Sequence, residues 1–223
     1  MSIKENLIAI KNTFISPDCL LVAVSKTKSA GEIMEAYEAG IRDFGENKVQ
    51  ELTEKYDALP KDINWHMIGH LQRNKVKYIA PFVHLIHGVD SLKLLKEINK
   101  QGEKNERTIT CLLQVHIAQE DTKFGFSEEE LKELFASEEL NDLKYVKIVG
   151  LMGMATFTDN TSQIRSEFKG LQELFEVLKS TTLPKNVVMQ ELSIGMSGDY
   201  LVAQEMGSTM VRIGTAIFGE RNY

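Results

Sequence analysis

Short apolar runs alternate with amphipathic helical stretches along the whole 223-residue chain. The runs predict eight strands, with a helical segment after each of the first seven and one extra helix over residues 3–14 in front. Strands that alternate with helices form right-handed βαβ units, which build a parallel sheet. Eight units in about 200 residues indicate a (β/α)8 TIM barrel, at the small end of that class.

We predict one domain covering residues 1–223. The predicted strands are residues 20–26, 41–47, 63–69, 83–89, 108–117, 146–155, 191–195 and 210–219. Capping boxes at Ser29–Glu32 and Ser127–Glu130 mark two helix starts. A doubly wound open sheet is the alternative architecture, but no G-x-G-x-x-G motif follows the first strand.

Charge and cysteine content limit the partners of the chain. The net charge of −6 disfavours nucleic acid and anionic lipid as partners. Cys19 and Cys111 form no CxxC or other metal-binding spacing, which favours a reducing compartment over a disulfide framework. The sequence shows no signal peptide and no apolar run of membrane-spanning length. We therefore expect a cytoplasmic protein.

The first predicted strand, residues 20–26, ends on a lysine. Its apolar residues are typical of a strand buried on both faces, whereas an ammonium group favours water. Lys26 can simply reach the surface where the strand ends. Alternatively it lies at the mouth of a buried site, where a lysine amine forms imines with carbonyl compounds.

Two loops at the carboxyl ends of strands 7 and 8 predict a phosphate site. Barrel active sites lie at the carboxyl ends of the strands, and phosphate commonly binds after strands 7 and 8. Here the segments are Ser193–Asp199 and Arg212–Thr215, rich in small and hydroxyl residues that let backbone N–H groups approach an anion. The glycines of these loops could otherwise serve only to make turns.

Lys26, the two loops and Arg212 together match a ligand with an aldehyde at one end and a phosphate at the other. Pyridoxal 5′-phosphate (PLP) is such a ligand, and Arg212 is the candidate partner of its ring nitrogen. Asn47 is a neutral donor for a ring hydroxyl. A Schiff-base aldolase, or another phosphate-handling barrel without PLP, stays open as an alternative.

A metal site is not expected from the histidines. His66 and His70 are four residues apart, but their segment is predicted as a strand plus glycine, and no glutamate follows His66. Strand 5 leads to Lys123 and Gly125, to which we assign no role.

Six stretches in order make the chain resemble the YggS/PROSC family of pyridoxal phosphate homeostasis proteins, which is similar in fold to the barrel domain of alanine racemase. They are residues 23–26, 44–47, 65–72, 150–152, 192–197 and 211–219. The resemblance implies that Lys26 is the Schiff-base lysine and that Arg212 faces the pyridine nitrogen. It also implies the residues around the ring and the phosphate: Asn47, Ser193, Met196, Ser197, Gly214 and Thr215.

The resemblance also bears on activity. Alanine racemase carries a second, β-rich domain that supplies a catalytic tyrosine, and the present chain ends at Tyr223, directly after strand 8. We therefore expect no catalytic residues, and a protein that stores, buffers or delivers PLP as a monomer, with PLP-requiring apo-enzymes as possible recipients. A small PLP-dependent enzyme, such as an amino-acid racemase, is the alternative.

Overall fold

A computed structural model describes residues 2–119 and 124–220 and shows eight parallel strands closed into a barrel in sequential order. The strands are β1 Leu20–Val24, β2 Asp43–Glu46, β3 Asn64–Met67, β4 Leu85–Val89, β5 Ile109–Gln114, β6 Val146–Met152, β7 Val187–Ser193 and β8 Met210–Ile213. The predicted (β/α)8 barrel is confirmed, and the open doubly wound sheet is wrong because β1 pairs with both β2 and β8.

Helices connect the strands and surround the barrel. They are α1 Ile3–Asn12, α2 Ala30–Glu38, α3 Val49–Ala58, α4 Val76–Ile79, α5 Leu92–Lys104, α6 Glu128–Ala136, α7 Glu138–Asn141, α8 Thr161–Lys179, α9 Tyr200–Glu205 and α10 Thr215–Phe218. Both predicted capping boxes are confirmed, at Ser29 and Ser127, and a third begins α1 at Ser2. Among the described helices, none is long and apolar enough to cross a membrane.

The closing of the barrel places the first and last strands side by side. Leu20 of β1 is in register with Met210 of β8, and Ala23 is in register with Ile213. Because all strands are parallel, their carboxyl ends meet at one face. The segments that follow β1 and β8, with Lys26 and Gly214, therefore lie next to each other at that face.

Buried apolar side chains form two separate clusters. The larger cluster lies between strands and helices and includes the fully buried Phe44, Trp65 and Phe168. A smaller cluster includes Val22 and Leu112. The buried polar side chains include His66, His87, Ser193 and Arg212. Buried polar groups require hydrogen-bond partners, so these four residues need an explanation.

Several predicted strand boundaries need correction, and those of β1, β7 and β8 bear on the cavity face. β1 ends at Val24, so Lys26 lies in a turn. β8 ends at Ile213, and residues 215–218 form the short helix α10 because the amides of Ile217 and Phe218 bond the carbonyl of Gly214. β7 begins at Val187, before the predicted residue 191, because its buried Val187 and Met189 alternate with less buried neighbours. The predicted ends of strands 1 and 8 thus lie outside the sheet, at the rim of the barrel.

The two cysteines are free and buried. Burial raises the pKa of the Cys19 thiol to about 11 and that of Cys111 to about 12. Since the thiolate is the reactive form, we expect neither to react with a thiol reagent in the native protein at pH 8. Both should react at once in denaturant. Rapid native modification of Cys111 would contradict the burial described.

Candidate functional site

A cavity of about 600 Å³ lies at the carboxyl ends of the strands. Its volume is within the range of roughly 300–1,000 Å³ that is usual for small-molecule sites. It is lined by seven of the eight predicted site residues: Lys26, Asn47, Met196, Ser197, Arg212, Gly214 and Thr215. The barrel therefore brings together residues from the first and last strands, as parallel-strand geometry requires.

The backbone before Lys26 is held by a buried charged cluster. The Ser25 hydroxyl donates to Glu46 Oε1 at 2.6 Å, and Lys55 Nζ contacts the same oxygen at 2.7 Å. Lys55 Nζ also donates to the Ser25 carbonyl at 2.8 Å. Burial raises the pKa of the Glu46 carboxyl, an effect that Lys55 and Ser25 partly oppose. This cluster fixes the peptide from which Lys26 extends.

The backbone after Lys26 adopts an uncommon conformation. Thr27 has a φ of 65°, which is unusual for a β-branched residue. Its amide donates to Glu51 Oε2 at 2.9 Å, and Glu51 also contacts Lys55 at 3.3 Å. Such strain persists where the surroundings enforce it, often at functional sites. Lys26 is thus held on both sides along the chain.

Arg212 lies at the base of the cavity and is 3% exposed. One terminal nitrogen, Nη1, donates to the Ser193 carbonyl at 2.8 Å and to the Ser193 hydroxyl at 2.6 Å, and Nη2 donates to the Gly153 carbonyl at 3.1 Å. Burial lowers the pKa of the guanidinium to about 10, with the charge of Asp199 opposing this. Arg212 therefore remains charged at neutral pH.

Ser193 is placed differently from the prediction. It is fully buried and lies behind Arg212, whereas the cavity wall is formed by the residues that follow it. Its hydroxyl contacts Arg212 and His87. The contact of Ser193 with a phosphate stays a prediction, and in this structure the Ser193 hydroxyl, at the end of β7, faces Arg212 and His87.

The loops after β7 and β8 are joined to each other. The amide of Gly214 donates to the Ser197 hydroxyl at 3.2 Å, and the Met196 amide donates to Asp199 Oδ1 at 2.5 Å. Gly195 has a φ of +96°, and a Cβ there would lie 2.6 Å from the Cβ of Ala203. This position requires glycine, and the turn it makes brings Met196 and Ser197 to the cavity.

Sequence reasoning missed Gly69, which determines where Asn47 lies. A Cβ at Gly69 would stand 2.4 Å from the Asn47 carbonyl oxygen. The two residues line the same part of the cavity, and their segments follow the neighbouring strands β2 and β3. A glycine at the last position of the predicted strand 63–69 was the available signal, since it permits close backbone approach.

The histidines of strands 3 and 4 separate into two environments. His70 lines the cavity and contacts Asp90 at 3.2 Å. His66 is fully buried and contacts Asp43 at 3.1 Å. Lys123, to which strand 5 leads in sequence, lies outside the described residues.

Comparison with known proteins places this geometry in a family. The family model for the alanine racemase N-terminal domain matches residues 1–222. The pyridoxal phosphate homeostasis protein of Aquifex aeolicus is 44% identical over 204 residues, covering 91% of this chain and 87% of the relative. The human protein of the same name is 40% identical over 215 residues, with 91% and 77% coverage.

Solved structures agree in fold. PipY of Synechococcus elongatus with PLP bound has a TM-score of 0.87 and 32% identity, covering 98% of this chain and all of PipY. Alanine racemase from Bartonella henselae has a TM-score of 0.75 and 15% identity, and the match covers 98% of this chain and 58% of the racemase. At this low identity the similarity concerns the fold alone.

The fold defines an alanine-racemase-like barrel with a cavity at the carboxyl ends of its strands. Within that class, the chain belongs to the pyridoxal phosphate homeostasis protein family.

Proposed function

We propose that this chain is a PLP-binding protein that acts in PLP homeostasis, holding PLP as a Schiff base on Lys26 and storing, buffering or delivering it. The observation that carries the proposal is the meeting of Lys26, Arg212 and the linked β7 and β8 loops in one cavity. The names of relatives at 37–44% identity and the PLP-bound PipY structure support it.

The residues present fit PLP in chemistry and in space. The cavity contains the amine of Lys26, which can react with an aldehyde, and the buried guanidinium of Arg212. The loops after β7 and β8 add small and hydroxyl-bearing residues. The close approach of Gly214 to β1 supports a backbone cradle, because a Cβ there would stand 3.1 Å from the Val24 carbonyl oxygen. Ser197 and Thr215 supply hydroxyl donors to the same part of the cavity.

Each residue has a separate task in this proposal. Bound PLP supplies an electrophilic carbonyl that exchanges between amines. Lys26 provides the amine, and Asn47 orients the ring. Arg212 is a donor only, so it holds an unprotonated pyridine nitrogen. Such a ring is a weaker electron sink than one paired with a carboxylate, which suits retention of the cofactor better than turnover.

We assign no catalytic residues. Two-base racemisation requires an acid–base group on each face of the cofactor. Among titratable residues in the described cavity wall, Asp159 lies exposed to solvent. His70 is paired with Asp90, and Asp199 accepts the Met196 amide. Lys28 Nζ donates to the Phe218 carbonyl at 3.0 Å. Because His70, Asp199 and Lys28 are engaged in these contacts, the site favours binding and release of PLP over catalysis. We propose that PLP leaves by transfer to the lysine of a receiving apo-enzyme.

The test begins with purified protein mixed with PLP. We expect a visible Schiff-base absorption band, and borohydride reduction should attach a phosphopyridoxyl group to the peptide that contains Lys26. Pyridoxal, which lacks the phosphate, is the comparison ligand and should bind at least tenfold more weakly, since it loses charge-assisted hydrogen bonds. A modified peptide other than that of Lys26 would overturn the site.

The proposed absence of enzymatic activity is tested by a separate measurement. The PLP-loaded protein is incubated with a panel of amino acids and the products are separated by chiral chromatography. We expect no turnover, whereas an apo-enzyme added to the loaded protein should gain activity. Rapid racemisation of any amino acid in the panel would replace this proposal with a PLP-dependent racemase.

A further inference from the structure

A chain of hydrogen bonds runs through the barrel from Arg212 to Asp43. Arg212 Nη1 donates to Ser193 Oγ at 2.6 Å, and Ser193 Oγ is 3.0 Å from His87 Nδ1. His87 Nε2 is 2.9 Å from His66 Nδ1, and His66 Nε2 is 3.1 Å from Asp43 Oδ1. Ser193, His87 and His66 are fully buried. The cavity contains only the first member of this chain, so the other four act through it.

The two ends of the chain give it a direction. Arg212 can only donate, so Ser193 Oγ accepts from it and is free to donate its own hydrogen to His87 Nδ1. His87 then carries its proton on Nε2 and donates to His66 Nδ1. His66 likewise carries its proton on Nε2 and donates to the Asp43 carboxylate. Every donor then has an acceptor, and both imidazoles are neutral.

The surroundings support this assignment. Burial lowers the pKa of His87 well below its usual range, and a positive charge on His66, Arg212 or His84 acts in the same direction. The pKa of Asp43 is lowered although burial opposes this, because the carboxylate accepts hydrogen bonds from His66 and Asn64. Asp43 therefore supplies a terminal acceptor, also bonded by Asn64 Nδ2 at 3.1 Å.

We infer that His87 is a positioning residue for the cofactor's ring nitrogen: through Ser193 it orients Arg212, and His66 and Asp43 fix its tautomer. This inference rests on the proposed function, because it takes Arg212 as the partner of the PLP ring. Without His87, the Ser193 hydroxyl has no fixed acceptor and can rotate. The contact at 2.6 Å that aims Arg212 Nη1 then loses its fixed geometry.

A purely structural role for His87 would require only a side chain of similar volume. The chain of bonds requires more, namely one acceptor facing Ser193 and one donor facing His66. Glutamine at position 87 can supply both groups in a neutral side chain, and phenylalanine can supply neither. His84 is a matched control, since its ring centroid lies 5.3 Å from that of His66 without a place in the chain of bonds.

The first experiment uses the protein without PLP. Long-range ¹H–¹⁵N NMR of the histidine rings distinguishes the two neutral tautomers. We expect His87 and His66 to be neutral with the proton on Nε2. A proton on Nδ1 of His87 would reverse the direction of donation and overturn the inference, whatever the affinity for PLP.

The second experiment compares His87→Phe, His87→Gln and His84→Phe for PLP affinity and for the pH profile of the bound-PLP absorption. We expect His87→Phe to weaken affinity about tenfold, the scale of one hydrogen bond to a charged group. Its absorption should become pH-dependent near neutrality, because a misaligned Arg212 lets the ring nitrogen take up a proton. His87→Gln should restore the parent behaviour, and His84→Phe should not depart from it.

The outcomes distinguish a failure of the proposed function from a failure of the positioning role of His87. If the parent protein forms no adduct on Lys26, the proposed function fails. If the parent forms the adduct but His87→Phe keeps its affinity and pH profile, the positioning role fails alone. Should His87→Phe not fold, Ser193→Ala removes the same link with a smaller change and is expected to give the same altered pH profile.

Discussion

Lys26→Ala is expected to abolish the borohydride-stable PLP adduct and to weaken PLP affinity at least a hundredfold. The lysine amine is the group in the proposal that forms a covalent bond, and alanine leaves the phosphate and ring contacts alone. The fold should survive, since Lys26 lies in a turn and is only partly buried. The measurements are the absorption band, the mass of the reduced protein and a PLP titration.

Lys28→Ala is the matched control for this change. Lys28 lines the same cavity, but its ammonium is bonded to the Phe218 carbonyl and contacts Glu32 at 3.4 Å. This variant should keep both the adduct and its absorption band. If Lys26→Ala retained the band while Lys28→Ala lost it, the Schiff-base assignment would move to Lys28.

Lys55→Met is expected to destabilise the fold by about 3–5 kcal/mol, although Lys55 lies on a surface helix. It removes the partner of Glu46, whose side chain is fully buried, and an uncompensated buried charge is costly. Lys132→Met is the control, because its pair with Glu128 is exposed on both sides and should contribute little to stability. Denaturant unfolding measures both variants.

The cost of Lys55→Met should depend on pH in a defined direction. The folded-state pKa of Glu46 is raised, mainly by burial, so the folded protein binds a proton that the unfolded chain has lost. Stability therefore falls as pH rises from the unfolded pKa through the folded pKa, and Lys55→Met should be less stable at pH 8 than at pH 5. Adding Glu46→Gln should recover most of the loss. A pH-independent loss would mean that packing around the lysine stem dominates.

Much of the fold follows from local patterns. The alternating strands and helices predict the barrel, and the capping boxes at Ser29 and Ser127 mark helix starts correctly because their bonds are local. The end of β8 was predicted too late because residues 215–218 are apolar enough for a strand. Instead, the amides of Ile217 and Phe218 donate to the Gly214 carbonyl and form a helical turn. The hydrophobic periodicity of the sequence does not reveal these hydrogen bonds.

Topology predicts which residues meet at the cavity, but not the contacts that support them. Lys26 and Asn47 follow strands and Arg212 lies one residue before the end of β8, so the barrel collects them at one face. The contacts of Ser193 and Glu46 depend on which way each side chain points at a strand end, and the partners His87 and Lys55 come from other elements. Such contacts join residues far apart in sequence, where pattern reasoning gives no information.

The pairing of β1 with β8 has a consequence for biosynthesis. Lys26 follows the first strand to leave the ribosome and Arg212 lies in the last, and the two come to line one cavity only when these strands pair. Contacts between such distant segments form late in folding. If Lys26 and Arg212 anchor PLP as proposed above, a nascent chain gains both anchors only when its final strand has docked. Cofactor retention thus selects fully folded molecules, and a ligand that binds only the closed barrel adds to its stability by mass action.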